Sequence, residues 1–201
     1  MTSRLHQRAA IVLAILASAY VAAQVLADVA SLRIVEIAGF SLDGGTLIYP
    51  FTFTLRDLVQ KVAGKRVAQT LIFAAAGVNV VMALLFLAVA NLPADMVVGP
   101  QIEFGAVLAP VWRIVTASII AEVISELIDT EVYSRWVARM GDRKQWGRVL
   151  SSNAVSVPID SAIFVLIAFG GVLPGSVVFE IFWVNVLVKV LITFISIPWI
   201  Y

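Results

Sequence analysis

The chain has 201 residues, of which 61% are hydrophobic and 13% charged, with a formal net charge of +1 and no cysteine. That balance, with a mean hydropathy of +1.00, lies outside the range of soluble domains, and the length leaves room for one compact bundle and no separate soluble domain. The lack of cysteine excludes a disulfide framework, a thiolate nucleophile and a thiolate metal site.

Six apolar segments follow one another at about 9–32, 46–63, 67–90, 106–130, 149–172 and 176–200. Five can cross a hydrocarbon core of about 30 Å at 1.5 Å per residue. The second is short and opens on Gly44, Gly45 and Pro50, so it reads as a span that is tilted, broken or re-entrant. The expected fold is an all-α integral membrane protein of six transmembrane helices, forming a single domain over 1–201. Arg4 and Arg8 precede the first span. Lys61, Lys65 and Arg66 follow the second, and Arg135, Arg139, Arg143, Lys144 and Arg148 follow the fourth. The opposite loops hold Arg33 beside Glu36, Asp43, Asp95 and Glu103. Basic residues collect on the cytoplasmic side, which predicts both termini in the cytoplasm and an even number of spans.

The first span opens like a secretory leader, with basic residues before an apolar run. It continues through Gln24 and Asp28, and so reads as a span. Tyr20, Gln24 and Asp28 recur every four residues and share one helix face, flanked by Ala19, Ala23 and Ala27. Such a face serves either as a packing seam between helices or as a lining for substrate. The connection 33–45 alternates enough for a strand or a tight excursion, and 91–105, with Pro93, Gly99, Pro100 and Gly105, reads as irregular.

In the third span Asn79 is central. On the fourth, Ser118, Glu122, Ser125, Glu126 and Asp129 step along one stripe. Three carboxylates on one face in hydrocarbon cannot all be ionised at low cost. Glu126 and Asp129 sit near the basic cytoplasmic loop and can pair with it, whereas Glu122 is deeper. This helix is expected to run past the membrane through EVYSRWVARMGDRKQW, placing Arg135, Arg139 and Arg143 on one side. That face suits lipid headgroups or a partner protein. The fifth span carries Ser151, Ser152, Asn153, Ser156, Pro158, Asp160 and Ser161. Pro158 removes a backbone donor, and freed backbone groups in a membrane belong where they find protein partners or line a cavity. Asp160 either faces a substrate or neutralises Lys189 of the sixth span, one turn beyond Asn185. A single charge at the bilayer centre costs about 2.5–3.5 kcal/mol on the most lenient scale. Polar residues at this density therefore point to a transport pathway.

No metal-ligand cluster, nucleophile elbow, phosphate loop or catalytic triad is visible, so no enzyme activity and no cofactor are expected. Nothing points to nucleic acid. The lone His6 lies in the N-terminal tail, so a histidine proton relay is excluded.

The stretch GTLIYPFTFTLRDLVQKVAGKRVAQ at 45–69 resembles the motif of the queuosine precursor transporter family, also called the vitamin uptake transporter family. The blocks SIIAEVISELIDTEVYSR and WGRVLSSNAVSVPIDSAIFVLIAFGG continue the likeness. The resemblance implies a multi-pass inner (plasma) membrane protein that imports deazapurine bases, the cyano- and aminomethyl-deazaguanine precursors of a modified tRNA nucleoside. It also implies kinship with the vitamin-binding S-components of energy-coupling-factor importers.

A guanine-like base offers adjacent N–H donors that suit a carboxylate, an acceptor edge that suits an amide, and a flat face for stacking. The expected substrate-binding set is Tyr20, Gln24, Phe53, Asp57, Glu122, Asn153 and Asp160, with Asn79 and Asn185 as further polar readers and Phe51 and Phe164 as further aromatics. The expected function is import of a small planar heterocycle by alternating access to a mid-depth site. The competing function is an S-component that only binds a vitamin and relies on energy-coupling ATPase subunits. The expected partners are the small-molecule substrate and the lipid bilayer, with a homodimer as an open option.

Overall fold

A computed structural model describes the backbone at residues 2–140 and 145–200 and the side chains at most of these positions. Among the described residues seven helices and one hairpin follow in order: α1 (Thr2–Ala30), β1 (Ile34–Ile37), β2 (Phe40–Asp43), a 3-10 turn (Gly44–Leu47), α2 (Tyr49–Ala63), α3 (Lys65–Ala90), α4 (Ile102–Leu108), α5 (Val111–Met140), α6 (Gln145–Phe169) and α7 (Gly175–Ile200). Among the described residues four stretches are long and apolar enough to cross a membrane: Gln7–Ala30, Arg66–Ala90, Ile102–Ser125 and Gly175–Ile192. The apolar stretch of α6, Asn153–Phe169, is shorter, as is the 15-residue α2.

The chain divides into two compact units, Met1–Arg33 with Gly44–Val115, and Ile34–Asp43 with Thr116–Tyr201. In the first unit α1 packs on both α2 and α3, and α4 packs on α3. Tyr20 of α1 is enclosed with Ile72 and Ala75 of α3, and Val21, Leu55 and Leu71 close around them. Ala23, Ala27, Ala68 and Ala83 are also buried. Helices in lipid gain little from exchanging one apolar neighbour for another, so small side chains that permit close approach carry their association. Gly64, at φ 87°, separates α2 from α3, and Pro110 marks the break between α4 and α5.

In the second unit α6 packs on α7, and α7 holds β2. The hairpin pairs Ile34 with Asp43, Val35 with Leu42, Glu36 with Ser41 and Ile37 with Phe40. Its two-residue loop, Ala38 and Gly39, has φ of 55° and 83°, the double positive φ of a type I′ turn. Gly39 adopts this freely and Ala38 does not. Ala38→Asn is therefore expected to raise stability by about 1 kcal/mol, read as a higher unfolding midpoint in detergent micelles. The excursion expected at 33–45 is thus a strand pair, the one non-helical element of regular structure among the described residues.

The distribution of polarity is inverted relative to a soluble protein. Gln24, Asp28, Asn79, Asp160, Asn185 and Lys189 are buried, while Phe73, Val81, Leu84, Leu166, Leu187 and Leu191 are mostly exposed. An apolar exterior over polar side chains is stable only where the surroundings are hydrocarbon. The helix expected to run through residue 146 is described as α5 through Met140, and Gln145 and Trp146 of that stretch open α6 instead. Arg135 of α5 pairs with Glu131 at 2.7 Å across one turn, an exposed contact that contributes little. Arg143 lies outside the described residues.

Candidate functional site

Each unit encloses its own polar cluster. In the first, the four-residue spacing on α1 places Tyr20, Gln24 and Asp28 on one buried face, with 1%, 6% and 3% exposure. Gln24 Nε2 donates to Tyr20 Oη at 2.9 Å. Asn79, midway along α3, donates through Nδ2 to Asp28 Oδ2 at 2.7 Å. An ionised carboxylate only accepts, so this bond turns the amide nitrogen towards Asp28 and the carbonyl away. That carbonyl, Asn79 Oδ1, is buried and has no hydrogen-bond partner among the described residues. On α2, Thr52 is buried and returns its hydroxyl to the Tyr49 carbonyl at 2.6 Å. Phe53 and Asp57 lie on the same helix, but their side chains are outside the described residues. Phe51 is 63% exposed.

The second cluster centres on α6. Asp160, two residues past Pro158, is buried. Lys189 Nζ of α7 donates to its Oδ2 at 2.5 Å, with side-chain exposures of only 8% and 9%. Ser125 Oγ of α5 lies 3.2 Å from Asp160 Oδ1 and 3.1 Å from the Glu122 carbonyl. It has a single proton, which serves one acceptor at a time. Ser161, completely buried, has no partner at Oγ among the described residues. Glu122, Asn153 and Phe164 are half-buried, and Phe164 meets Phe169 edge-on at 5.9 Å. Glu126 and Asp129 have side chains outside the described residues. Of the two readings open for Asp160, the pairing with Lys189 is present.

Asp43, which the sequence places in the connection between the first two apolar segments, ends β2 there and is not solvated. It is 2% exposed, and Asn185 Nδ2 donates to its Oδ2 at 3.1 Å. The reason lies in α7: Ile181, Asn185 and Lys189 follow at four-residue intervals, all buried, so one stripe supplies an amide to Asp43 and an ammonium to Asp160. The end of the hairpin is thereby fastened to α7. The sequence signal available for this was the pair Gly44–Gly45 directly after Asp43, which marks a close approach rather than a free loop.

No group of three or more His, Cys, Asp or Glu able to hold a metal ion occurs among the described residues. Among the described residues the buried polar groups are instead amides, hydroxyls, carboxylates and the Lys189 ammonium.

Comparison with known proteins shows the family. The family model described as "Putative vitamin uptake transporter" matches residues 43–201. The "Probable queuosine precursor transporter" of Bacillus subtilis (strain 168) is 28% identical over 184 residues, covering 89% of this chain and 79% of that protein. No solved structure matches significantly. The family match starts at the end of the hairpin and takes in Asn79 and the whole second cluster, while Tyr20, Gln24 and Asp28 precede it; the chain is a multi-pass membrane protein belonging to this vitamin uptake transporter family.

Proposed function

We propose that the protein imports queuosine precursors, the cyano- or aminomethyl-deazaguanine bases, across the inner (plasma) membrane by alternating access. The observation that carries this reading is likeness to a queuosine precursor transporter over 89% of the chain, together with buried carboxylates and amides in apolar helices. In this reading the chain is one membrane domain of six spans, α2 and α6 included, with both termini in the cytoplasm. The basic residues in the first turns of α1, around the junction of α2 and α3, and from the end of α5 to the start of α6 support that orientation.

The residues proposed to read substrate are Tyr20, Gln24, Phe53, Asp57, Glu122, Asn153 and Asp160. The N1–H and 2-amino donors of a deazaguanine match a carboxylate in two parallel hydrogen bonds. The carbonyl edge takes an amide donor such as Gln24. Tyr20, enclosed and accepting from Gln24, fixes the amide's orientation. Aromatic stacking adds about 1–3 kcal/mol per base.

Binding is the direct test. The purified protein in detergent is expected to gain thermal stability with aminomethyl-deazaguanine and with guanine, and much less with hypoxanthine, which lacks the 2-amino donor. Equal stabilisation by all three, or by none, contradicts a site built to read that edge.

A further inference from the structure

We propose that the connection between α3 and α4 is a membrane-interface anchor, which inserts Met96, Val97 and Val98 into the headgroup layer of the leaflet on its side. The segment lies within the first unit and joins the ends of two stretches long and apolar enough to cross a membrane, Arg66–Ala90 and Ile102–Ser125. Its position at the bilayer boundary is therefore set by the helices that carry it. Its tip is apolar and outward: Met96 is 73% exposed, Val97 95% and Val98 68%, with Leu92 and Ile102 on its flanks also mostly exposed. Val97 is the most exposed of the large hydrophobic residues described.

The backbone of this tip is arranged for a layer poor in water. Asp95 Oδ1 accepts from Val97 N at 2.9 Å. The Asp95 carbonyl accepts from both Val98 N and Gly99 N at 3.0 Å. Residue 100 is proline and has no N–H. The donors from Val97 to Pro100 are thus all satisfied or absent, and one residue, Asp95, satisfies them. An unpaired backbone donor costs far more near hydrocarbon than in water, so a turn that presents side chains while hiding its amides suits insertion.

The base of the turn is held firmly. Asn91 Nδ2 donates to the Leu87 carbonyl at 2.7 Å. Phe86 and Phe104 meet edge-on at 6.1 Å, and a side chain at Gly105 would already touch Ala90 Cβ at 3.5 Å. Residues 91–102 contain no lysine or arginine. Insertion is therefore driven by apolar area, not by anionic lipid, and is insensitive to lipid charge and salt.

The lack of native cysteine makes the test clean. Val97→Cys, labelled with an environment-sensitive fluorophore and reconstituted in phosphatidylcholine vesicles, is expected to emit at shorter wavelength than in water. It should be quenched by lipids brominated just below the headgroup and resist an aqueous quencher, equally so in vesicles containing phosphatidylglycerol. Adding Asp95→Ala, which strips the turn of its acceptor, is expected to shift emission back towards that in water. Water-like emission open to the aqueous quencher overturns the proposal. So does a signal that develops only at high protein-to-lipid ratio, which marks contact with a second copy, or one that requires anionic lipid. The readout is independent of transport, so it fails or succeeds separately from the substrate assignment.

Discussion

Asp160→Ala is expected to destabilise the protein by about 3–5 kcal/mol, because it leaves the Lys189 ammonium buried without its counter-charge. The two side chains are 8% and 9% exposed and meet at 2.5 Å, so water cannot take over the role of the lost carboxylate. Lys189→Met is expected to cost less, since Ser125 still reaches Asp160 Oδ1 and the methionine side chain fills a similar volume. The double variant Asp160→Ala with Lys189→Met removes both charges and should recover most of the lost stability, as replacing a buried ion pair by apolar groups is often neutral or better. Unfolding in mixed micelles with increasing dodecyl sulfate measures all three. The same double variant separates structure from function: it should fold and still fail to bind the deazaguanine base. A folded double variant with unchanged binding would confine Asp160 to a structural role.

Gly44→Ala should shift or break the junction at which the hairpin gives way to the 3-10 turn. A Cβ added there would stand 2.6 Å from the Ala30 carbonyl oxygen and 3.3 Å from its carbon. Both are backbone atoms at the end of α1, so relief by rotation of a side chain is not available. Gly44 N also donates to the Arg33 carbonyl at 2.9 Å, which holds the two segments at that distance. The expected loss is about 1–3 kcal/mol, the range for forcing an extra methyl into a packed site. Gly39→Ala, with nothing within 4 Å of its Cβ position, meets only the cost of its positive φ. It is expected to be the milder of the two when both are compared by unfolding midpoint. Equal effects would mean that the Ala30 contact is soft.

Periodicity in the sequence reveals faces and hides partners. The step of four that joins Tyr20, Gln24 and Asp28 is local, so their shared burial was legible. That Asp28 meets Asn79, 51 residues away, depends on how α1 and α3 pack, and no local pattern carries it. Lys189 was legible as a counter-charge for Asp160 because both are charges expected at similar depth in apolar helices. Asp43 was not, because a carboxylate after an alternating strand ordinarily marks a solvated turn. Its burial follows from Asn185, 142 residues further along, an amide whose own stripe on α7 was visible without its target. Likewise the apolar character of residues 96–98 was plain in the sequence. Their outward presentation and internally satisfied amides depend on the turn that Asp95 closes.

The most direct test of the transport assignment is uptake by the purified protein alone in sealed liposomes, with radiolabelled aminomethyl-deazaguanine outside and the unlabelled base inside. The account predicts saturable exchange that unlabelled base competes away and that Asp160→Ala with Lys189→Met abolishes. Label that never enters, or that enters only when ATPase subunits are added with ATP, would contradict a self-sufficient importer.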